Sequence, residues 1–399
     1  MTDTGRPARV LLVSRIFAPE AAAATFRLSA LVRALAARGA AVRVLTAAAP
    51  PGLSTSDPPG VRVDRAPVLR DVSGYVRGYV PYLSFDVPAA LRLLLAPRPD
   101  VVVVEPPPTT GAVVRVVTGL RSLVGGRIPY VYYAADVWSD ASESVGAPRF
   151  VVAALRAVER FSLRGARAVL AVSEGVADRV RELGADPVTV VRNGIDTEVF
   201  TPDGPVPADA PAQPFLVYAG TASEWQGAEV FAQAMREVIT QVPGARLVFL
   251  GQGSSWPALQ RIAAELPEGT IELRPLVPPE QAAAWQRAAA GALVSVKPGL
   301  GYDFAYPTKV LAALACGTPV VYAGPGPARS DLIDHDLGEA VDYDVRLVAD
   351  AMLRALGAPR NEQERRWRAD WVLEHRSLER TGSEAAAVVL NDVAHGSVD

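Results

Sequence analysis

Lysine is nearly absent from this chain of 399 residues. Of its 40 Lys and Arg residues only two are lysines, Lys297 and Lys309, and both flank one glycine-containing loop. Almost every other cationic position is arginine, so an ammonium kept twice around one loop indicates a task that a guanidinium performs poorly. Lysine presents a compact point charge that suits a phosphate oxygen.

Cysteine, histidine and long apolar runs are also scarce. The single cysteine, Cys316, excludes an internal disulfide, and the three histidines form no pair or cluster with metal-ligand spacing. We therefore expect neither a metal nor any other cofactor. No apolar run reaches the roughly 18 residues of a membrane span. The polar N-terminus leads directly into a predicted strand, without a secretory signal. These features predict a cytoplasmic protein, with association to the inner face of the membrane left open.

The formal charge of −3 hides an asymmetry between the two halves. Residues 1–200 carry 24 arginines and 18 acidic residues, a net +6, and the remainder is net −9. A basic first half could face anionic lipid or an anionic acceptor. Basic residues are not interleaved with aromatic ones, so nothing indicates a nucleic-acid partner.

The first half of the chain alternates strand and helix patterns. Residues 9–14 form a continuous apolar run typical of a buried strand, residues 25–38 have helical spacing, and residues 41–46 predict the next strand. Further strands are predicted at 101–104, 130–133, 168–172 and 188–191, with helices near 109–124, 148–165 and 174–183. This alternation predicts an α/β domain with a parallel sheet.

A second alternating set follows a segment rich in Pro, Ala and Asp, residues 201–214, which has the composition of a linker. Its strands are predicted at 215–219, 246–250, 270–273, 291–296 and 319–322. We therefore predict two doubly wound parallel-sheet domains, residues 1–200 and 201–377, facing a cleft. Ligands of such sheets bind beyond the carboxyl ends of the strands.

The lysine loop lies at such an end, in the second domain. Gly299 and Gly301 let the backbone approach an anion, and a helix beginning near Thr308 would point its free N–H groups at it. Together with Lys297 and Lys309, this pattern predicts an anion site, most simply for a diphosphate. The alternative is an ordinary loop with two solvated lysines.

Three sequence segments resemble the bacterial glycosyltransferases of family 4, which have the GT-B fold of two Rossmann-like domains. They read AVSEGVADRV…VTVVRNGID, VYAGTASEWQG and YPTKVLAALACGTPVV. The segments FAPEAAAATFRLSALVRALAARG and YYAADVWSD resemble a subgroup that assembles envelope polysaccharides. The resemblance extends from about Val10 to the C-terminal helix region.

The resemblance implies a nucleoside-diphosphate sugar donor in the second domain. The diphosphate would lie against the loop 299–301 and the helix starting at Thr308, with Lys309 as the cation of the Pro-x-Lys motif. Further donor-site residues are Gly220, Thr221, Arg274, Lys297, Tyr302 and Asp303. The last helix, about 378–399, is expected to pack back on the first domain.

An acceptor, a glycan or a lipid-linked molecule, is implied in the first domain. Asp136 is the predicted catalytic carboxylate, which would orient or deprotonate the acceptor hydroxyl; alternatively it caps the following helix. Glu20 could bind acceptor hydroxyls or be solvated at the surface. Arg27 could pair with a phosphate or lie on a helix surface. Trp138 could stack on a sugar or close the core.

The chain departs from the family at several donor positions. Two glutamates of most members are Phe304 and Ala312 here, and Asp303 might substitute for the first. At the two positions where family members have an Arg and a Lys that bind phosphate, this chain has Thr221 and Gln226. Lys297 and Lys309 are therefore candidates to replace the lost positive charge.

The leading hypothesis is a glycosyltransferase for a cell-envelope glycan or glycoconjugate, working with retention of configuration by resemblance to the family. Two alternatives stay open. A sugar-nucleotide 2-epimerase of the same fold would need a histidine in the cleft, and a binding protein without activity would explain the missing glutamates.

Overall fold

The computed structural model describes residues 6–20, 22–50, 53, 57–70, 76, 79–144 and 146–395. The chain divides into two compact units. The first comprises Met1–Asn193 and Leu378–Asp399, and the second comprises Gly194–Ser377. The proline-rich segment 201–214 therefore lies within the second unit rather than at its boundary.

The first unit is built on a sheet of seven parallel strands in the order β3-β2-β1-β4-β5-β6-β7. The central strand β4 consists of four consecutive valines that are all buried, as expected where helices cover both faces of a parallel sheet. The strands are β1 (Arg9–Val13), β2 (Ala41–Ala47), β3 (Val61–Ala66), β4 (Val101–Val104), β5 (Tyr130–Ala134), β6 (Ala168–Ala171) and β7 (Val188–Val190).

Helices pack on both faces of this sheet. The core on one face includes α1 and α14, and the core on the other includes α2, α3, α5 and α6. The helices are α1 (Ala23–Ala37), α2 (Tyr79–Leu95), α3 (Pro108–Ser122), α4 (Trp138–Ser144), α5 (Arg149–Gly165), α6 (Glu174–Glu182) and α14 (Leu378–His395).

The second unit contains six parallel strands in the order β10-β9-β8-β11-β12-β13. The strands are β8 (Phe215–Thr221), β9 (Arg246–Gln252), β10 (Ile271–Arg274), β11 (Gly291–Ser295), β12 (Val320–Ala323) and β13 (Gly338–Val341). The helices are α7 (Glu229–Gln241), α8 (Trp256–Ala264), α9 (Pro279–Ala288), α10 (Thr308–Ala315), α11 (Pro327–Asp334), α12 (Val345–Gly357) and α13 (Glu362–Arg376).

The prediction of two doubly wound parallel sheets is confirmed, and each predicted strand lies within one or two residues of an observed one. Two strands were missed, β3 and β13, and both form an edge of their sheet. An edge strand is partly open to solvent, so its sequence need not carry the continuous apolar run that identifies a buried strand. This applies to β3 (VRVDRA) and β13 (GEAV), whereas the other two edge strands, β7 and β10, were predicted.

The last helix is held against α1 by close backbone packing. A Cβ atom added to Gly382 would lie 2.6 Å from the carbonyl carbon and oxygen of Ala30. A side chain larger than hydrogen at this position must therefore push the two helices apart.

We predict that Gly382→Ala lowers the free energy of unfolding by about 1–3 kcal/mol, the usual cost of overpacking. Gly119→Ala is the matched control, because this glycine lies in α3 and a Cβ there meets nothing within 4 Å. The control should be neutral or stabilising by up to about 1 kcal/mol. Urea unfolding of both variants tests this, and equal stability of the two would refute the packing argument.

Candidate active site

Lys309 places its ammonium at the carboxyl end of β8, the strand at which the second sheet reverses its order. Its Nζ donates to the carbonyl oxygen of Thr221 at 2.6 Å and lies 4.9 Å from the ring centroid of Tyr218. A Cβ on Gly220 would come within 3.0 Å of Lys309 Cε, so the glycine leaves room for the lysine to cross the strand end. Within the described part of the chain, no carboxylate pairs with Lys309.

The environment of Lys309 makes its charge costly. Lys309 is half-buried, with protein packed closely around it, and this desolvation lowers its pKa from 10.5 to about 7. Since the unfolded chain binds this proton more tightly, the site gains stability as pH rises from about 7 towards 10.5 and is least stable with the lysine charged. An anion bound beside Nζ would offset that penalty.

The glycine loop is shaped largely by its own contacts. Gly299 and Gly301 have φ angles of 79° and 78°, which favour glycine. The carboxylate of Asp303 accepts from the Gly299 amide at 3.1 Å, and Tyr302 stacks on Trp225 with ring centroids 4.8 Å apart. Asp303 therefore stabilises the loop in this structure. Its candidate role as a substitute for the first family glutamate stays a prediction.

Two residues predicted to bind the nucleotide-sugar donor, Lys297 and Thr308, lie on either side of this loop. Lys297 is exposed, and its backbone amide is tied to the carbonyl of Trp225 at 2.8 Å. Thr308 begins α10 directly after Pro307, and no side chain caps the first turn. The positive end of α10 is consequently available to an anion at the same edge of the sheet as Lys309.

Arg274 has a different character from the lysines. At the end of β10 its guanidinium pairs with Asp209 and with Glu272, the latter at 2.7 Å, and lies 4.4 Å from the ring centroid of Trp285. It borders an open depression of about 570 Å³ that Pro275 and Gln281 also line. Because two carboxylates neutralise Arg274, this depression suits a flat uncharged group better than a phosphate.

The four positions at which this chain departs from the family have their own contacts or burial in the second unit. Gln226 is buried, and its Oε1 accepts from the Ser223 amide at 3.1 Å, so it shapes the loop after β8 and does not offer a charge. Thr221 presents its carbonyl to Lys309. Of the two missing glutamates, Ala312 is buried in α10 and Phe304 is half exposed. The ammonium of Lys309 is thus the cation that the second unit brings to the end of β8.

In the first unit, Arg27 is buried with its charge already neutralised. Its guanidinium pairs with Glu105, donates to Asn193 Oδ1 at 3.0 Å and lies 5.1 Å from the ring centroid of Tyr133. The alternative that Arg27 lies on a helix surface is therefore wrong. Glu105, whose other oxygen accepts from Ser14 at 3.1 Å, was missed although it directly follows β4 at the ligand-binding edge.

Asp136 follows β5 and has no hydrogen-bond partner among the described residues. The cap of α4 is Glu159, which accepts from the amides of Trp138 at 2.8 Å and Ser139 at 3.2 Å. The alternative that Asp136 caps this helix is thus wrong. Crowding by protein raises the pKa of Asp136 and Arg27 opposes this, but the side chain is exposed, so water screens both effects.

The other two acceptor candidates are packed. Glu20 forms a two-pronged ion pair with Arg70, at 2.8 and 3.2 Å, and is not freely solvated. Trp138 contacts the ring of Tyr82 edge-on, with centroids 5.4 Å apart, and Tyr82 in turn lies under Arg15. Both therefore line the end of the first sheet as components of a fixed surface.

No group of three or more potential metal ligands occurs in the described residues. Of two Asp-x-Asp sequences, the one at 334–336 precedes β13 and the one at 342–344 directly follows it. In the second, Asp344 caps α12 and Asp342 pairs with Arg329 at 3.1 Å, so both carboxylates are engaged within the protein. His335 and His375 lie against Trp371, with ring centroids 5.3 and 5.1 Å from it.

Comparison with known proteins agrees with this two-unit arrangement. Residues 23–194 match the model of a Glycosyl transferase 4-like domain, and residues 213–358 match that of Glycosyl transferases group 1. The chain belongs to these glycosyltransferases. Lys309, Arg274 and the glycine loop lie in the group 1 domain, whereas Arg27, Glu105 and Asp136 lie in the 4-like domain.

Curated relatives match about half of this glycosyltransferase chain. D-inositol 3-phosphate glycosyltransferase of Xylanimonas cellulosilytica is 33% identical over 194 residues, which is 44% of each chain. A GDP-mannose-dependent alpha-(1-6)-phosphatidylinositol monomannoside mannosyltransferase of Mycolicibacterium smegmatis is 29% identical over 181 residues, covering 42% of this chain and 46% of the relative. The chain thus aligns with less than half the length of each of these two relatives.

Solved structures extend the likeness in fold to nearly the whole chain. HepE of Anabaena, in complex with UDP-glucose, has a TM-score of 0.65 and 13% identity, covering 96% of this chain and 99% of that one. At that identity the likeness establishes the GT-B fold alone. Among the helices that the structure describes, none is long and apolar enough to cross a membrane.

Proposed function

We propose that this protein transfers a sugar from a nucleoside-diphosphate sugar to a hydroxyl of a glycan or lipid-linked acceptor. The observation that carries the proposal is Lys309, a cation without a carboxylate partner in the described residues, held at the strand end beside the uncapped start of α10. One relative is, by its name, a GDP-mannose-dependent mannosyltransferase of phosphatidylinositol monomannoside.

In this proposal the second unit stabilises the departing nucleoside diphosphate. Lys309 and the first amides of α10 take up the negative charge that develops on the leaving phosphate, and the glycine loop allows the backbone to approach it. Arg274 and its depression hold the base. Lys297 supplies a second, exposed cation.

The first unit serves the acceptor in the same proposal. Asp136 orients the attacking hydroxyl and receives its proton, because its carboxylate has no competing partner in the described structure. Arg27 acts as a positioning residue, since its charge is engaged by Glu105. Retention of configuration and a role in the cell envelope remain finer parts of the proposal, supported only by resemblance to the family.

A non-catalytic nucleotide-sugar binder is the second candidate. Phe304 and Ala312, in place of two glutamates, favour it, because neither side chain can bind a sugar or ribose hydroxyl. An epimerase has less support. The described side chains His335 and His375 lie by Trp371 and not at a strand end.

Lys309→Ala should weaken binding of the nucleotide sugar by about 1.5–3 kcal/mol, the range for a hydrogen bond to a charged group. The nucleotide sugar is first selected by a thermal-shift screen with UDP-, GDP- and dTDP-sugars, and calorimetry then measures affinity. Lys309→Arg should rescue poorly, because the lysine stem already passes close to Gly220 and a guanidinium is bulkier than an ammonium. Arg346→Ala, at an exposed cation of α12, is the control. If Lys309→Ala bound the nucleotide sugar with wild-type affinity, the proposed role of Lys309 in binding phosphate would be wrong.

Asp136→Asn should reduce transfer by roughly 100-fold or more while donor affinity and melting temperature stay near wild type. The matched control is Glu159→Ala, which removes the cap of α4 and should instead lower the free energy of unfolding by about 1–3 kcal/mol. Wild-type transfer by Asp136→Asn would contradict the proposed role of Asp136 at the acceptor. If the wild-type protein binds donor but transfers to no acceptor in a panel of envelope lipids, the non-catalytic nucleotide-sugar binder is favoured.

The proposed reaction needs no divalent metal, because the lysine and the amides of α10 supply the positive charge. Turnover should therefore be unchanged by EDTA. Loss of activity in EDTA, with recovery on adding magnesium or manganese, would overturn this part of the proposal.

A further inference from the structure

Three neighbouring helices on one face of the first sheet have an unusual charge balance. Helix α3 packs between α2 and α5. Together the three helices contain seven arginines and only two acidic residues, Asp86 and Glu159, and both acids are 2% exposed. The outer surface of this layer, which we name the α2–α3–α5 face, therefore carries no exposed carboxylate.

Most arginines of this face have no carboxylate partner among the described residues. Arg115 and Arg121 donate to backbone carbonyls, and Arg149, Arg160 and Arg164 are exposed without a carboxylate partner in the described residues. Arg92 donates to the backbone carbonyls of Thr46 and Asp64. Arg156 pairs with a carboxylate, that of Glu143 at 2.8 Å on neighbouring α4. The solvent-facing charge of these three helices is therefore positive, whereas the flanking helices α4 and α6 also carry acidic residues.

The same face exposes large apolar side chains along a helical stripe. On α2 they recur at spacings of three and four residues, which places them on one side of the helix over about 21 Å. Their exposed fractions are 65% for Val80, 54% for Leu83, 65% for Val87, 58% for Leu91 and 47% for Leu94. The neighbouring helices and their ends add Val116, Leu120, Leu123, Val124, Phe150 and Phe161.

We propose that the α2–α3–α5 face docks on the surface of an anionic lipid bilayer. Apolar side chains would enter the boundary between headgroups and acyl chains, and the arginines would meet lipid phosphates. A symmetric dimer through this face is disfavoured, because a two-fold contact would place two copies of the same positively charged face against one another. The proposal goes beyond sugar transfer and concerns where the enzyme works.

Vesicle co-sedimentation of the full chain tests this docking, with phosphatidylcholine vesicles compared with vesicles that also contain phosphatidylglycerol. We expect binding to the anionic vesicles that weakens with salt, and little binding to the neutral ones. Arg160→Glu/Arg164→Glu should weaken binding at least about 20-fold, since each arginine near the surface contributes about fivefold and reversal adds repulsion. Arg346→Glu/Arg366→Glu, at exposed arginines of the second unit, should bind like wild type.

A second pair of variants tests the apolar stripe. Leu83→Gln/Leu91→Gln should reduce vesicle binding, whereas Ile333→Gln/Leu373→Gln, at side chains 56% and 54% exposed in the second unit, should not. Melting curves verify folding, and donor affinity should be unchanged in all four variants, so failure here is separate from failure of the donor site. The proposal would be overturned if the protein did not bind anionic vesicles, or if test and control pairs had equal effects on binding. It would also be overturned if the stripe variant converted a dimer to a monomer without reducing vesicle binding.

Discussion

The contact between the Lys309 ammonium and the Thr221 carbonyl fixes where the second unit can hold negative charge. A lysine stem can cross the end of β8 only because Gly220 has no side chain there. The carbonyl orients the ammonium but cannot neutralise it, and desolvation makes the charge costly. A fixed lysine that has no carboxylate partner among the described residues, and whose charged form is disfavoured by burial, would be stabilised by an anionic ligand.

In the first unit, by contrast, several charged side chains have partners within the protein. Arg27 and Glu105 neutralise one another within the fold, Glu20 is held by Arg70, and Glu159 serves as a helix cap. Asp136 is left exposed without a hydrogen-bond partner in the described structure. The charged groups of Arg27, Glu20 and Glu159 are therefore engaged within the unit, whereas the carboxylate proposed for catalysis has no such partner among the described residues.

Hydrophobic runs were sufficient to predict the two parallel sheets, because central strands such as β4 are buried on both faces. The edge strands β3 and β13 were missed for the converse reason. At the site, the rule that ligands meet strand ends selected Lys309 and Asp136. It could not reveal partners distant in sequence, such as Glu159 for the cap of α4 or Asp209 for Arg274, since these pairings arise only once helices and loops are packed.

The number of protons taken up when a nucleotide sugar binds tests the central claim most directly. Calorimetric titrations at pH 8, in buffers of different ionisation enthalpy, measure this number. With a pKa of about 7, Lys309 is mostly neutral in the free protein at that pH, and a bound diphosphate should restore its proton. The account predicts proton uptake by the wild type that is absent in Lys309→Met. Binding to the wild type without proton uptake would contradict it.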